Sequence, residues 1–285
     1  MDSSQLLGIT TFFYLFASVL YLIVFLFRAH KVGLFATAVT LIGFLIQTAG
    51  IGLRWYESYQ LGYGHAPLSN MYESLVFFAW SIILFYLIME FIYKNRLLGA
   101  FTAPFAFFSM AYASFAGEIN QQIAPLVPAL QSNWLLFHVF TCFIGYAAFA
   151  MACGVGIMYL IKAGHDEKKG KKAKGSEGLI DTLPDLKVID DIIHKSLVFG
   201  FLWLSAGIIT GAVWANSAWG TYWSWDPKET WSLITWFVYA VALHARFTRG
   251  WGGKRIAWIA IIGFLSVLFT YYGVNFLLSG LHSYG

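Results

Sequence analysis

Apolar residues in this chain fall into long runs separated by polar connections. A membrane-spanning helix needs about 20 consecutive apolar residues. Eight runs of that order are present: Leu6–Phe27, Val32–Leu53, Met71–Tyr93, Leu97–Ala116, Trp134–Ile161, Leu197–Ala215, Thr230–Ala245 and Ile256–Leu281. The pattern predicts an all-α, polytopic membrane bundle of about eight transmembrane helices, forming a single integral membrane domain over residues 1–285. The first run is long enough to span, and its leader carries Asp2 and no basic residue. It therefore reads as a permanent helix rather than a cleaved signal.

The longest polar interruption is 162–195. Its first half, Gly164–Gly175, is rich in lysine and too poor in apolar residues to fold, and is expected to be a disordered basic loop at lipid headgroups. Its second half, Leu183–Ile193, mixes apolar residues with Asp185, Asp190 and Asp191, as an amphipathic segment lying on the membrane surface would.

Charge orients the bundle. If the N-terminus lies outside, the inner connections are 28–31, 94–96, 162–195 and 246–255. They carry two, two, eight and four basic residues of the chain's 18 Lys and Arg, leaving Arg54 and Lys228 outside. The positive-inside rule then places both termini outside. The net charge of +4 reflects this orientation and does not point to nucleic acid. With 59% hydrophobic and 11% charged residues, a soluble enzyme is excluded. The two cysteines, Cys142 and Cys153, lie eleven residues apart on one helix, about 16 Å along its axis. They cannot pair with each other, and no CxxC is present.

The chemistry concentrates in one connection, 216–230. Trp219-Gly220-Thr221-Tyr222-Trp223-Ser224-Trp225 places three tryptophans and a tyrosine within seven residues. That density suits a platform for a flat apolar ligand, with interface anchoring as the simpler alternative. Asp226-Pro227-Lys228-Glu229 fits a helix start, with Asp226 as N-cap, Pro227 at the first position and Glu229 completing a capping box. Asn70 and Glu73 fit a similar start for the third helix. Lys228 could meet a ligand carboxylate or a nearby acid.

Topology sorts the histidines by depth. His30, His165 and His194 fall on the inner side. His138 begins the fifth helix and His282 follows the eighth, so both share the side of the tryptophan loop. Two neutral imidazoles can take the two axial positions of a haem iron; the alternative for each is an interfacial histidine bonded to water or a carbonyl. His244 lies fifteen residues beyond Glu229, roughly 22 Å deeper. It is either a second, deeper iron ligand or a side chain reaching the inner surface near Arg246.

The motif Trp219-Gly220-x-x-Trp223-x-Trp225-Asp226 resembles the WWD signature of haem-handling proteins of cytochrome c maturation. With Pro67-Leu68-Ser69-Asn70-Met71-Tyr72-Glu73-Ser74 and eight runs in this length, the chain resembles the CcsA/ResC family of the system II cytochrome c synthase. The resemblance implies transport of haem b across the bacterial cytoplasmic membrane and its presentation at the outer loop, with Trp219, Trp223, Trp225 and Asp226 in the haem-binding segment. It implies iron ligation by His138 and His282 outside, and by His244 within the membrane with a partner ligand from the CcsB/ResB subunit. It further implies addition of the two CxxCH thiols of an apocytochrome c across the haem vinyls, a haem lyase activity shared with that subunit. Competing readings are a WWD protein that delivers haem to a carrier without attaching it, and a non-catalytic transporter with an aromatic interface loop.

Overall fold

The computed structural model describes residues 2–169 and 178–281. Among them every regular element is helical. The main helices are α1 (Ser3–Phe27), α2 (His30–Gln60), α3 (Met71–Tyr93), α4 (Leu98–Phe115), α5 (Asn133–Lys169), α6 (Leu186–Trp219), α7 (Pro227–Arg249) and α8 (Lys254–Leu268). A π-helical turn, Phe269–Gly273, and a last short helix, Val274–Leu277, continue the line of α8.

Seven helices among the described residues are long and apolar enough to cross a membrane, and the chain is a multi-pass helical membrane protein. The segment expected as the seventh of eight spans is the exception. It is helical as α7, but it is the least apolar of the long helices and does not join the other seven by composition.

The helices pack as two groups joined through α5. The α1–α2 hairpin lies on α4, α3 bridges α4 and α5, and α5 in turn packs on α6 and α8, with α7 closing against α6 and α8. The middle of α5 is rich in buried small residues, including Ala147, Ala148, Ala150, Ala152 and Gly154. A Cβ at Gly154 would lie 2.2 Å from the Phe101 carbonyl oxygen of α4, and one at Gly145 would lie 3.0 Å from that of Gly200 in α6. Such close backbone approach is how helices pack tightly where lipid provides no hydrophobic drive.

The ends differ from expectation where polar side chains find partners. α2 runs to Gln60, which carries Arg54 into the bundle. There Arg54 pairs with Glu73 at 2.7 Å, with side-chain exposures of 2% and 1%. α5 stays helical through Gly164–Lys169, where a disordered loop was expected. Lys254 donates to Glu167 at 2.6 Å and Lys169 to Asp181 at 2.9 Å, so charges that would repel in a free loop are paired. Residues 170–175 of the expected loop lie outside the described residues.

Leu183–Ile193 is likewise no separate surface segment. α6 starts at Leu186 and runs unbroken to Trp219, with Ile189, Ile192 and Ile193 fully buried. Asp190 forms a two-pronged bond with Arg246 (3.1 and 2.6 Å) and accepts from the Gly253 amide, while Tyr93 donates to Asp191. Asp190 and Asp191 therefore bind α6 to α7, α8 and α3, while Asp185, just before the helix, is exposed as expected.

Candidate functional site

A cavity of about 730 Å³ opens at the end of the bundle where α5 and α7 begin and α6 ends. His138, in the second turn of α5, stands in its wall. Its Nδ1 lies 2.8 Å from the Gly207 carbonyl oxygen of α6. A carbonyl only accepts, so Nδ1 carries the proton and Nε2 keeps the lone pair. The imidazole stacks on Trp214, with centroids 5.8 Å apart and planes 14° from parallel. Trp214, 2% exposed, donates its Nε1–H to the Ala129 carbonyl at 2.9 Å. A Cβ at Gly211 would stand 2.6 Å from His138 Nδ1, so only glycine leaves room for the ring. Gly207, Gly211 and Trp214 follow the zero, four, seven spacing of one helix face. That spacing is the signal in the sequence that could have found them.

The loop after α6 sorts its three tryptophans. Gly220, at φ +77°, ends α6 in the left-handed conformation that glycine tolerates. Trp219 packs edge-on against Trp214 at 4.9 Å, beside Leu126 and Leu130. Thr221 Oγ1 accepts from the Trp223 amide and donates to its carbonyl, which turns the Trp223 side chain into the cavity wall with Tyr222. Trp225 is not part of the wall; it is 68% exposed, sits edge-on to Trp223 with centroids 5.7 Å apart, and has φ +61°. A bulky residue with such a φ is strained by about 1–2 kcal/mol.

Asp226 closes the loop as the sequence predicts. Its Oδ2 accepts from the Lys228 amide at 3.0 Å, and Glu229 accepts from the Asp226 and Ser224 amides at 3.2 and 2.8 Å. Its other oxygen takes the Leu281 amide at 2.6 Å, a contact across 55 residues that no local pattern reveals. Asp226 is buried and is not part of the cavity wall, whereas Lys228 and Glu229 are.

Another part of the wall comes from the α2–α3 and α4–α5 connections. Asn70 caps α3 by accepting from the Glu73 amide at 2.9 Å. Glu73 does not complete the expected box; it reaches one residue further, to the Ser69 amide and hydroxyl, and holds Arg54. Arg54 donates on to the Gln121 carbonyl. One buried ion pair thus ties down both connections. His65, to which the sequence reading assigned no role, has its two ring nitrogens at the Ala66 and Ala124 carbonyls and serves the same loops. Deeper in, Ser74 and Tyr271 meet at 2.5 Å, and Tyr271 is offered to the cavity by the π-helical turn.

The remaining predicted ligands are not gathered here. His282 lies outside the described residues, immediately after Leu281. His244 is exposed near the other end of α7, roughly 22 Å along the helix from Glu229. The structure therefore joins His138 to the tryptophan loop and leaves His244 on the bundle's outer surface.

Residues 68–282, which include all the residues lining the cavity, match the family described as Cytochrome C assembly protein. The chain is 42% identical over 257 residues to "Cytochrome c biogenesis protein CcsA" of Guillardia theta, covering 86% of this chain and 84% of the relative. The chain belongs to the CcsA family of cytochrome c biogenesis proteins. The CcsA of Gloeobacter violaceus is 37% identical and covers 100% of the chain and 98% of its own length. Among solved structures, the fold resembles "Cytochrome c Heme Lyase CcmF", with a TM-score of 0.67 and 18% identity over 95% of this chain. The chain spans about half of that protein, 47% of its length. Membership in the CcsA family gives the chain a role in cytochrome c maturation.

Proposed function

We propose that this CcsA-family protein receives haem b, holds it in the cavity beside the tryptophan loop and presents it for thioether attachment to CxxCH apocytochromes. The observation that carries this reading is His138. Its Nδ1–H is fixed on the Gly207 carbonyl, which leaves Nε2 as a neutral donor in the cavity wall. Histidines that ligate metals almost always donate their other ring N–H in this way. A volume of about 730 Å³ lies within the 300–1,000 Å³ typical of small-molecule and cofactor sites. The aromatic residues in its wall, Phe143, Tyr146, Trp223 and Tyr271 among them, suit a flat apolar macrocycle.

In this reading His138 and His282 ligate the iron, Trp223 packs on the macrocycle, and Lys228 faces its carboxylates. Trp219, Trp225 and Asp226 shape the loop. The haem substrate supplies vinyl groups, which accept the two thiols of the apocytochrome. The protein's own contribution is positioning, since no nucleophile or acid–base pair is required of it. His244, exposed on α7, would take its second ligand from a CcsB/ResB partner subunit. The basic residues at the far ends of the helices favour an orientation with the tryptophan loop outside a bacterial cytoplasmic membrane.

Absorption spectra and haem stoichiometry of the protein purified from membranes, with His138→Ala and His282→Ala beside it, test the proposal. The expected result is bound haem in the native protein, with loss of haem or of its low-spin spectrum in both variants. Native-like haem content and spectra in both would refute the assignment.

A further inference from the structure

We infer that the α4–α5 connection offers an open main-chain edge at 123–127, on which an extended polypeptide docks beside the cavity mouth. The partner it fits is the stretch of apocytochrome flanking CxxCH. This rests on the reading of the cavity as the place of haem attachment.

Residues 116–132 join α4 to α5 and carry one charged side chain, Glu118. The chain bends at Gln122 and runs on without helix to the turn at Pro128–Leu130. Two alternations make this stretch strand-like. Asn120, Gln122 and Ala124 line the cavity, whereas Gln121 and Ile123 do not; side chains of a strand change face in this way. The carbonyls of Gln122, Ala124 and Leu126 are bonded by side chains: Asn70 Nδ2 at 3.5 Å, His65 Nε2 at 2.9 Å and Gln131 Nε2 at 3.0 Å. At the bend the Gln121 carbonyl is bonded too, by Arg54 at 2.9 Å. Successive residues of a strand turn their N–H and C=O to opposite edges. Ile123, Pro125 and Val127 therefore address the other edge. There the N–H and C=O of Ile123, the C=O of Pro125 and the N–H of Val127 have no hydrogen-bond partner among the described residues. Pro125 and Val127 are exposed.

An unpaired edge pairs with an added strand, whose main-chain bonds supply affinity whatever its side chains. This one offers two donors and two acceptors over about 13 Å of strand. Pro125 has no N–H, which keeps the edge short. Its opposite side is already fastened by Arg54, His65 and Asn70, so docking costs little ordering of the protein. CxxCH cannot itself be the added strand. Cysteines three apart point to opposite faces of a strand, and both thiols must reach one haem. The chain beside CxxCH can take that place, and pairing with 123–127 brings CxxCH over the cavity.

Val127 allows a test that removes a donor and leaves the fold. Its φ of −63° and ψ of 150° are those of a proline in extended chain. Val127→Pro therefore deletes the N–H without strain, and its melting temperature should equal or exceed the native value. Val127→Ala, which keeps the N–H, is the control. The probe is a fluorescent apocytochrome peptide with both cysteines replaced by serine, titrated against the purified full-length protein in nanodiscs with haem content recorded. One main-chain hydrogen bond is worth about fivefold in an equilibrium constant. Val127→Pro should raise the peptide Kd about fivefold, with native haem content, and Val127→Ala should bind as native does. Scrambling the flanks of the peptide should leave the Kd unchanged, and N-methylating their amides should raise it about fivefold or more. Native affinity in Val127→Pro and for the N-methylated peptide, with haem bound, overturns the docking edge and leaves the haem reading standing. So does a loss of affinity shared equally by Val127→Ala, which would assign the effect to the side chain. A haem-free native protein that still shows the Val127→Pro loss overturns the haem reading and keeps the edge.

Discussion

Replacing Gly211 with alanine probes the arrangement around His138 at a residue that cannot touch a ligand through a side chain of its own. The added Cβ would stand 2.6 Å from His138 Nδ1 and 2.7 Å from Cε1. Relief to an ordinary contact of at least 3.4 Å moves the imidazole about 0.8 Å off α6. The Gly207 carbonyl is on the same helix, so the 2.8 Å bond opens toward about 3.6 Å, where it is no longer a hydrogen bond. The variant should lose about 1–3 kcal/mol from overpacking. It should also lose about 10–100-fold in haem affinity, as when the group orienting a ligating histidine is removed. Haem titration of apo-protein in detergent, followed by absorbance, measures the affinity, and thermal unfolding measures the stability. Gly52→Ala is the control, since a Cβ there meets nothing within 4 Å. Native haem affinity in Gly211→Ala would refute the claim that the Gly207 bond prepares His138 as a ligand.

Other expectations follow from the same geometry. Arg54→Ala leaves Glu73 charged and buried and should cost about 3–5 kcal/mol; an unchanged melting temperature in lipid nanodiscs would contradict it. Trp214→Ala should cost about 3–5 kcal/mol, because a buried ring and its bond to Ala129 are lost. Trp225→Gly removes the strain at φ +61° and should raise stability by about 1 kcal/mol, so a lower melting temperature in that variant would count against the loop geometry. Asp181 is held at about 2, below the usual 3.8, chiefly by the Lys169 ammonium and then by the Gly178 amide. Its folded value is depressed, so the Lys169 clamp contributes fully above about pH 4 and fades as pH falls through about 2. An infrared carboxylate band that is removed by Asp181→Asn and titrates near 4 would show the clamp to be absent.

The apolar runs made the helices legible, because burying backbone in lipid demands them. Met71–Tyr93 matches α3 to the residue, and the Asp226 cap is as its sequence reads. Expectations failed where polarity was taken for exposure. Arg54 is buried because Glu73 comes from another helix, and Asp190 and Asp191 are bonded across three helices. No local pattern contains those partners. The candidate site divides in the same way. Motif density found the tryptophan loop, and topology placed His138 beside it. The different fates of Trp219, Trp223 and Trp225 depend on one glycine turn and one threonine hydroxyl, and Gly207 and Gly211 matter only through an α5–α6 contact.

The central claim is that His138 Nε2 is an iron ligand in this cavity. Its most direct measurement is the electron paramagnetic resonance spectrum of the oxidised haem protein, comparing native with His138→Gly and with the same variant in imidazole. The account predicts a low-spin signal in native protein, its loss in His138→Gly, and its return with imidazole. A low-spin signal that persists unchanged in His138→Gly without imidazole would contradict it.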